Sequence, residues 1–250
     1  MKKYFFIIII LIISDFSWGT DFGRGVGRRS RYLICPGGHF TYNTTFLMNK
    51  NILDVGDTQN TELSFGYNVG ADFEVIFDIS IFYPAIEFEY SAVSQLYTNS
   101  AGSFNSRVDL SLFNVPVLLK IKAGENGYIE IGPQFSILNS GKYNLTWNTD
   151  PLSIKNSIFQ IGDVEGADVK EQFVKKYVSA VFGFGSYFNL YQEALILKVG
   201  ARASYSFTDA QGIDAYGRNI QAVFVENSAV HKGTHIFYGG LTLGLTYRFY

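Results

Sequence analysis

Apolar and polar residues alternate with a period of two along most of this chain. In LSFGYNVGADFEVIF, residues 63 to 77, the side chains of Leu63, Phe65, Tyr67, Val69, Ala71, Phe73, Val75 and Phe77 fall on one face, opposite Ser64, Gly66, Asn68, Gly70, Asp72 and Glu74. Successive side chains of a β-strand point to opposite faces, so this spacing predicts a long strand with one apolar side. The pattern recurs at 82–94, 109–122, 128–138, 177–189, 194–207 and 235–250, with a weaker copy at 37–47. Together these predict about eight strands, an even number that lets an antiparallel sheet close on itself. Beyond the N-terminal segment, no stretch reaches the ~18 uninterrupted apolar residues that a membrane helix needs.

Connection lengths alternate as well. Links near 78–81, 123–127 and 190–193 are tight, whereas those near 48–62, 96–107, 140–176 and 208–234 are long and rich in Asn, Ser, Asp and Gly. Short turns on one rim and long loops on the other characterise outer-membrane barrels. Volume assigns the faces: an eight-stranded barrel encloses only a packed layer of side chains or one small ligand, too little for all the Phe and Tyr of the apolar faces. The apolar face must therefore meet lipid. The predicted fold is all-β, an antiparallel transmembrane up-and-down β-barrel in the outer membrane of a Gram-negative bacterium, with its long loops outside. The opposite face then lines a narrow lumen. It carries Asp72, Glu74, Glu87, Glu89, Lys120, Lys122, Glu130, Lys198, Arg202 and Arg248. Charges taken out of water need partners, so they are expected to pair into a plug, in an order the sequence leaves open.

The N-terminal MKKYFFIIIILIISDFSWG carries two lysines, a short apolar run and small residues at Ser17 and Gly19, which reads as a cleaved signal peptide over residues 1–19. Residues 20–36 are then a periplasmic N-terminal segment and 37–250 the barrel. Cys35 is the only cysteine, so no intramolecular disulfide is expected despite export. With 17% aromatic residues and only 5 Pro among 250 residues, the chain is too ring-rich for disorder and suits one large β domain. A net charge of -2 and a single basic run, RGVGRRSR at 24–31, exclude nucleic acid as a partner.

The segment LFNVPVLLKIKAGENGYIEIGPQFSIL, residues 112–138, resembles the middle of the PorT-like outer-membrane β-barrel family of the Bacteroidetes. In that family a Val/Ile-Pro-Leu strand ending in Lys is followed by a short turn and a strand carrying Gly-Pro. The matching positions are Val115, Pro116, Leu118, Lys120, Gly132 and Pro133. The resemblance implies an outer-membrane barrel, with a few family members implicated in secretion or surface-protein maturation. On the last strand Tyr247 and Phe249 share the lipid-facing side, and a terminal lipid-facing aromatic resembles the signal read by the barrel-assembly machinery. That implies this machinery as a partner during biogenesis, although Tyr250 adds one residue after the signal.

Candidate chemistry is sparse. His231, His235, Asp209, Asp214 and Ser228 lie where a rim active site would be. Acid–base work needs an imidazole within about 2.6–3.2 Å of its partner, and no local motif provides it, so these read as solvated loop residues. No catalytic residue, cofactor or metal site is expected, and the protein is read as a non-enzyme. Its expected role is structural or in interaction, with outer-membrane lipid around it and a protein partner met through the long loops or the periplasmic rim. The alternatives are a small-solute or ion channel through the charged lumen and an outer-membrane enzyme with a rim active site.

Overall fold

The structure is a computed structural model and describes residues 32–49, 60–77, 80–98, 104–147, 163–191, 194–210 and 233–248. Ten strands occupy them: β1 Tyr32–Asn49, β2 Asn60–Glu62, β3 Ser64–Phe77, β4 Phe82–Thr98, β5 Phe104–Ala123, β6 Gly127–Trp147, β7 Val164–Asp168, β8 Lys176–Tyr191, β9 Leu195–Ser206 and β10 Thr234–Tyr247. Eight of them form a closed antiparallel ring in the order β1-β3-β4-β5-β6-β8-β9-β10, and β10 pairs back onto β1 with Phe40 opposite Leu243. Closure removes every open edge from the hydrocarbon, where an unsatisfied backbone group would cost several kcal/mol. The two short strands sit on the rim of the ring: β2 extends the edge of β4, and β7 lies against the far half of β6.

Around the lower part of the ring, towards the short connections, the alternation resolves as expected. Phe73, Phe88, Ile131, Phe184 and Leu243 point outward and are exposed. Asp72, Glu87, Glu130 and Lys198 point inward and are buried. So continuous an exposed apolar wall is stable only against lipid.

Several boundaries differ from the sequence reading. The first strand begins at Tyr32, not at 37, because residues 32–36 pair with β3 from Phe77 to Phe73. They therefore belong to the barrel and not to a periplasmic segment; residues 1–31 lie outside the described residues. Strands β5 and β6 run on to Phe104 and Trp147, well into the predicted long loops. There the pattern changes phase. Arg107, Lys142 and Thr146 on the outside are exposed, while Val108, Leu110 and Leu145 on the inside are buried. A register shift between Ser111 and Leu112 marks the change, with Ser111 opposite Ser140 and Leu112 opposite Leu138. A β-bulge of this kind leaves one residue unpaired and sharpens the local twist.

The inward apolar residues of the upper half gather into one cluster that includes Leu47, Val93, Tyr97, Leu110, Tyr177 and Ile236. A segment after β7, with a single 3-10 turn at Lys170–Gln172, carries Val169 and Phe173 into the same cluster. Its backbone is fastened by Val169 N–H to Gly141 C=O (3.0 Å) and Val174 N–H to Ala210 C=O (2.9 Å). Tyr143 is half-buried against this cap. The upper lumen is thus closed by packed apolar side chains, each worth about 1.5–3 kcal/mol when fully buried.

Candidate functional site: the charged lumen

Below the apolar cap, the alternating inward positions of seven strands aim their polar ends at the barrel axis. Two acids from β3, Asp72 and Glu74, take Lys198 of β9 between them, at 2.5 Å from Asp72 Oδ2 and 3.0 Å from Glu74 Oε1. Lys120 of β5 donates to Glu74 as well and lies 3.5 Å from Glu130 Oε2 on β6 and 3.8 Å from Glu87 Oε1 on β4. Arg202 of β9 spreads its guanidinium over three acids. It is bidentate to Glu87 through Nη1 (2.5 Å) and Nη2 (3.0 Å), reaches Glu89 through Nη1 (2.8 Å) and Glu130 through Nε (2.7 Å). A planar fork with five donors suits this task where a lysine would reach fewer oxygens.

His39, which the sequence reading did not single out, completes the network from β1. Its Nε2 lies 2.8 Å from Glu89 Oε1 and its Nδ1 3.4 Å from Asp72 Oδ1. The signal was present but weak: His39 falls in the strand with the poorest alternation, among Gly37, Gly38 and Thr41. His39, Glu87 and Glu89 bring ligand-type atoms within 4.8 Å of one another. Arg202 already contacts both glutamates, so a cationic side chain fills the role that a metal ion would take there.

Room for these long side chains comes from glycines on facing strands. A Cβ at Gly183 would lie 2.5 Å from Glu130 Oε1, and one at Gly70 would lie 3.0 Å from Glu89 Cγ. Between the ions and the cap is a layer of neutral hydrogen bonds. Asn43 donates to Asn68 Oδ1 (2.8 Å), Asn68 to Glu89 Oε2 (3.4 Å), and Asn114 to Ser91 Oγ (2.5 Å). The hydroxyl of Tyr238 is bonded to the Gln134 amide.

Two predicted members stand apart. Lys122 shares the inward face of β5 but lies at the mouth beside the turn, exposed and without an ion pair among the described residues. Burial, which compels pairing deeper in, is missing there. Arg248 is half-buried just past β10, where its backbone N–H bonds Ala194 C=O (2.8 Å) while its Nε finds no acceptor among the described residues. Tyr247 is exposed on the outer wall, and Phe249 lies outside the described residues.

The rim suspects serve the backbone. Asp209 Oδ1 accepts the Thr234 N–H (2.8 Å), and His235 Nδ1 lies 3.0 Å from the Ser206 carbonyl, its ring stacked on Tyr205 with centroids 5.5 Å apart. His231, Asp214 and Ser228 lie outside the described residues.

The model of the family described as outer membrane protein beta-barrel domain matches residues 28–212. Among solved structures, the Yersinia pestis attachment invasion locus protein Ail, determined with the heparin analogue sucrose octasulfate, is 13% identical, covering 86% of this chain and 99% of that one, with a TM-score of 0.37. Neisserial surface protein A is 11% identical over 87% of this chain and 96% of its own, with a TM-score of 0.37. OprG of Pseudomonas aeruginosa is 10% identical over 88% and 97%, with a TM-score of 0.38. No curated protein sequence matches the chain.

Proposed function

The chain belongs to the outer membrane protein beta-barrel domain family and lies in the outer membrane of a Gram-negative bacterium, and from that premise we propose that it is a non-conducting, non-enzymatic barrel with a structural or interaction role. The observation that carries this reading is the filled lumen. Paired ions occupy its lower half, amides and hydroxyls its middle, and the apolar cluster its upper end. A molecule whose interior is occupied must work through its surface. In this reading the long connections and the strands that outrun the membrane face outside and engage a protein partner. The resemblance of Val115, Pro116, Leu118, Lys120, Gly132 and Pro133 to the PorT-like pattern favours a partner in secretion or surface-protein assembly.

Planar-bilayer recording from the purified full-length protein tests the reading. No charge-selective conductance steps are expected. Steady conductance whose ion selectivity changes in Arg202→Ala would establish the channel alternative. Cross-linking from Glu165→Cys on β7 in intact cells should then capture a specific surface or secretion protein; capture of lipid alone would remove the interaction role.

A further inference from the structure

A cleft of about 410 Å³ opens on the outer wall of the barrel, where β1, β3, β4, β5 and β6 run side by side. Its floor consists of small residues at one height: Ala92 of β4 faces Ser111 of β5, which faces Ser140 of β6. One bank is aromatic. Tyr42 stacks on Phe65 with centroids 5.6 Å apart, and Tyr67 lies 6.4 Å from Tyr90. The other bank is polar. Arg107 donates from Nε to Asp109 Oδ1 (2.7 Å) and from Nη2 to Ser94 Oγ (3.1 Å), and Asn144 donates to Asp109 Oδ2 (3.4 Å). Both oxygens of Asp109 are thus engaged. Lys142 is exposed beside them and has no ion pair among the described residues. The acid opposite it on β7, Asp168, accepts the Lys170 N–H through Oδ1 (2.9 Å). Cations therefore exceed acids in the lining, with Arg107 and Lys142 against Asp109.

Height decides what this cleft meets. On β5 the outward residues from Ile121 to Phe113 are apolar, and the next ones, Ser111, Asp109 and Arg107, are polar. At ~3.4 Å per residue and a tilt of about 40°, the apolar run accounts for most of the ~25 Å band that such barrels present to lipid. The cleft begins where that band ends, at the level of lipid headgroups. Aromatic rings with one polar end favour this level, and Lys and Arg favour phosphate.

We propose that the cleft binds the phosphorylated sugar headgroup of the outer-leaflet glycolipid. The Ser94 hydroxyl already donates to Asp109 Oδ1 (2.5 Å), and those of Ser111 and Ser140 bond each other (2.7 Å), so the sugar rests on the aromatic bank with its hydroxyls donating to the serines' remaining lone pairs, and its phosphate sits on Lys142 and the open edge of Arg107. The assignment to the outer leaflet rests on the orientation proposed above; binding in detergent does not depend on it, so the two fail separately.

The test is titration of the purified full-length barrel in detergent with bacterial lipopolysaccharide, with dephosphorylated lipopolysaccharide, inorganic phosphate and phosphatidylglycerol as parallel arms. Loss of a charge-assisted hydrogen bond predicts about tenfold weaker lipopolysaccharide binding by Lys142→Ala, and a similar loss on dephosphorylation of the ligand. Ala92→Trp fills the floor without altering charge and should weaken binding comparably, while Lys122→Ala at the opposite rim should change nothing. Equal affinity in wild type, Lys142→Ala and Ala92→Trp would overturn the proposal. So would displacement of lipopolysaccharide by phosphate or phosphatidylglycerol at matched concentration, since the cleft would then read charge and not sugar.

Discussion

Arg202 is the residue on which the lower lumen turns. It is 7% exposed and contacts Glu87, Glu89 and Glu130, so truncating it leaves three carboxylates facing one another without their shared counter-charge. Breaking a buried ion pair by removing one partner costs about 3–5 kcal/mol. Arg202→Ala should therefore lower the unfolding temperature in detergent markedly, and Arg202→Lys should recover only part of the loss because an ammonium lacks the bidentate fork. Thermal melting by circular dichroism reads both; an Arg202→Ala barrel as stable as wild type would mean that the charges are hydrated. Gly183 probes the same network from the other side. Its side-chain position is already filled by Glu130, so Gly183→Val should destabilise by about 1–3 kcal/mol, the usual cost of overpacking, although no charge is touched.

Strands carry two messages here, one per half. In the membrane half the apolar face points out, and substitution there should follow depth: Phe184→Arg, exposed on β8, should cost about 2–4 kcal/mol if it lies near the bilayer midplane, measured by unfolding in lipid vesicles. In the upper halves of β5 and β6 the apolar face points in. Phe173→Ala, in the segment that caps the lumen, should cost about 3–5 kcal/mol as a cavity opens, yet leave the barrel non-conducting because the ion layer below is intact. This reversal explains what could be read in advance. The lipid-facing half of each strand and its inward charges were legible because fifteen or so residues keep one phase. The upper halves of β5 and β6 were not, since Val108, Leu110 and Leu145 fall on the face that Asn114 and Lys120 had marked as polar, and across the bulge the alternation no longer continues. Pairing between Lys198 and Asp72, or Arg202 and Glu87, was equally hidden. It depends on which strands lie opposite across the ring, a property of closure that no local pattern records.

At the scale of the whole molecule, orientation is open to direct measurement. A cysteine at Glu165 on β7 should be labelled by impermeant reagents on intact cells, and one at Asn126 in the β5–β6 turn should be protected; the reverse result would invert the barrel. The ring closure described above also has a consequence in time. Asp72, Glu74, Glu87 and Glu89 lie on β3 and β4, and two of their three main counter-ions lie on β9, Lys198 at 126 residues from Asp72 and Arg202 at 115 from Glu87. An exported chain therefore delivers its acids long before most of the bases that neutralise them. A half-formed sheet lowered into lipid would carry bare carboxylates along one side and an unpaired edge along each flank, so insertion has to wait for the late strands and proceed together with closure. A chain ended after Tyr191 should accordingly remain outside the bilayer and sensitive to added protease, however complete its first six ring strands, because the last quarter of the sequence holds the countercharge that makes the acids of β3 and β4 compatible with a membrane.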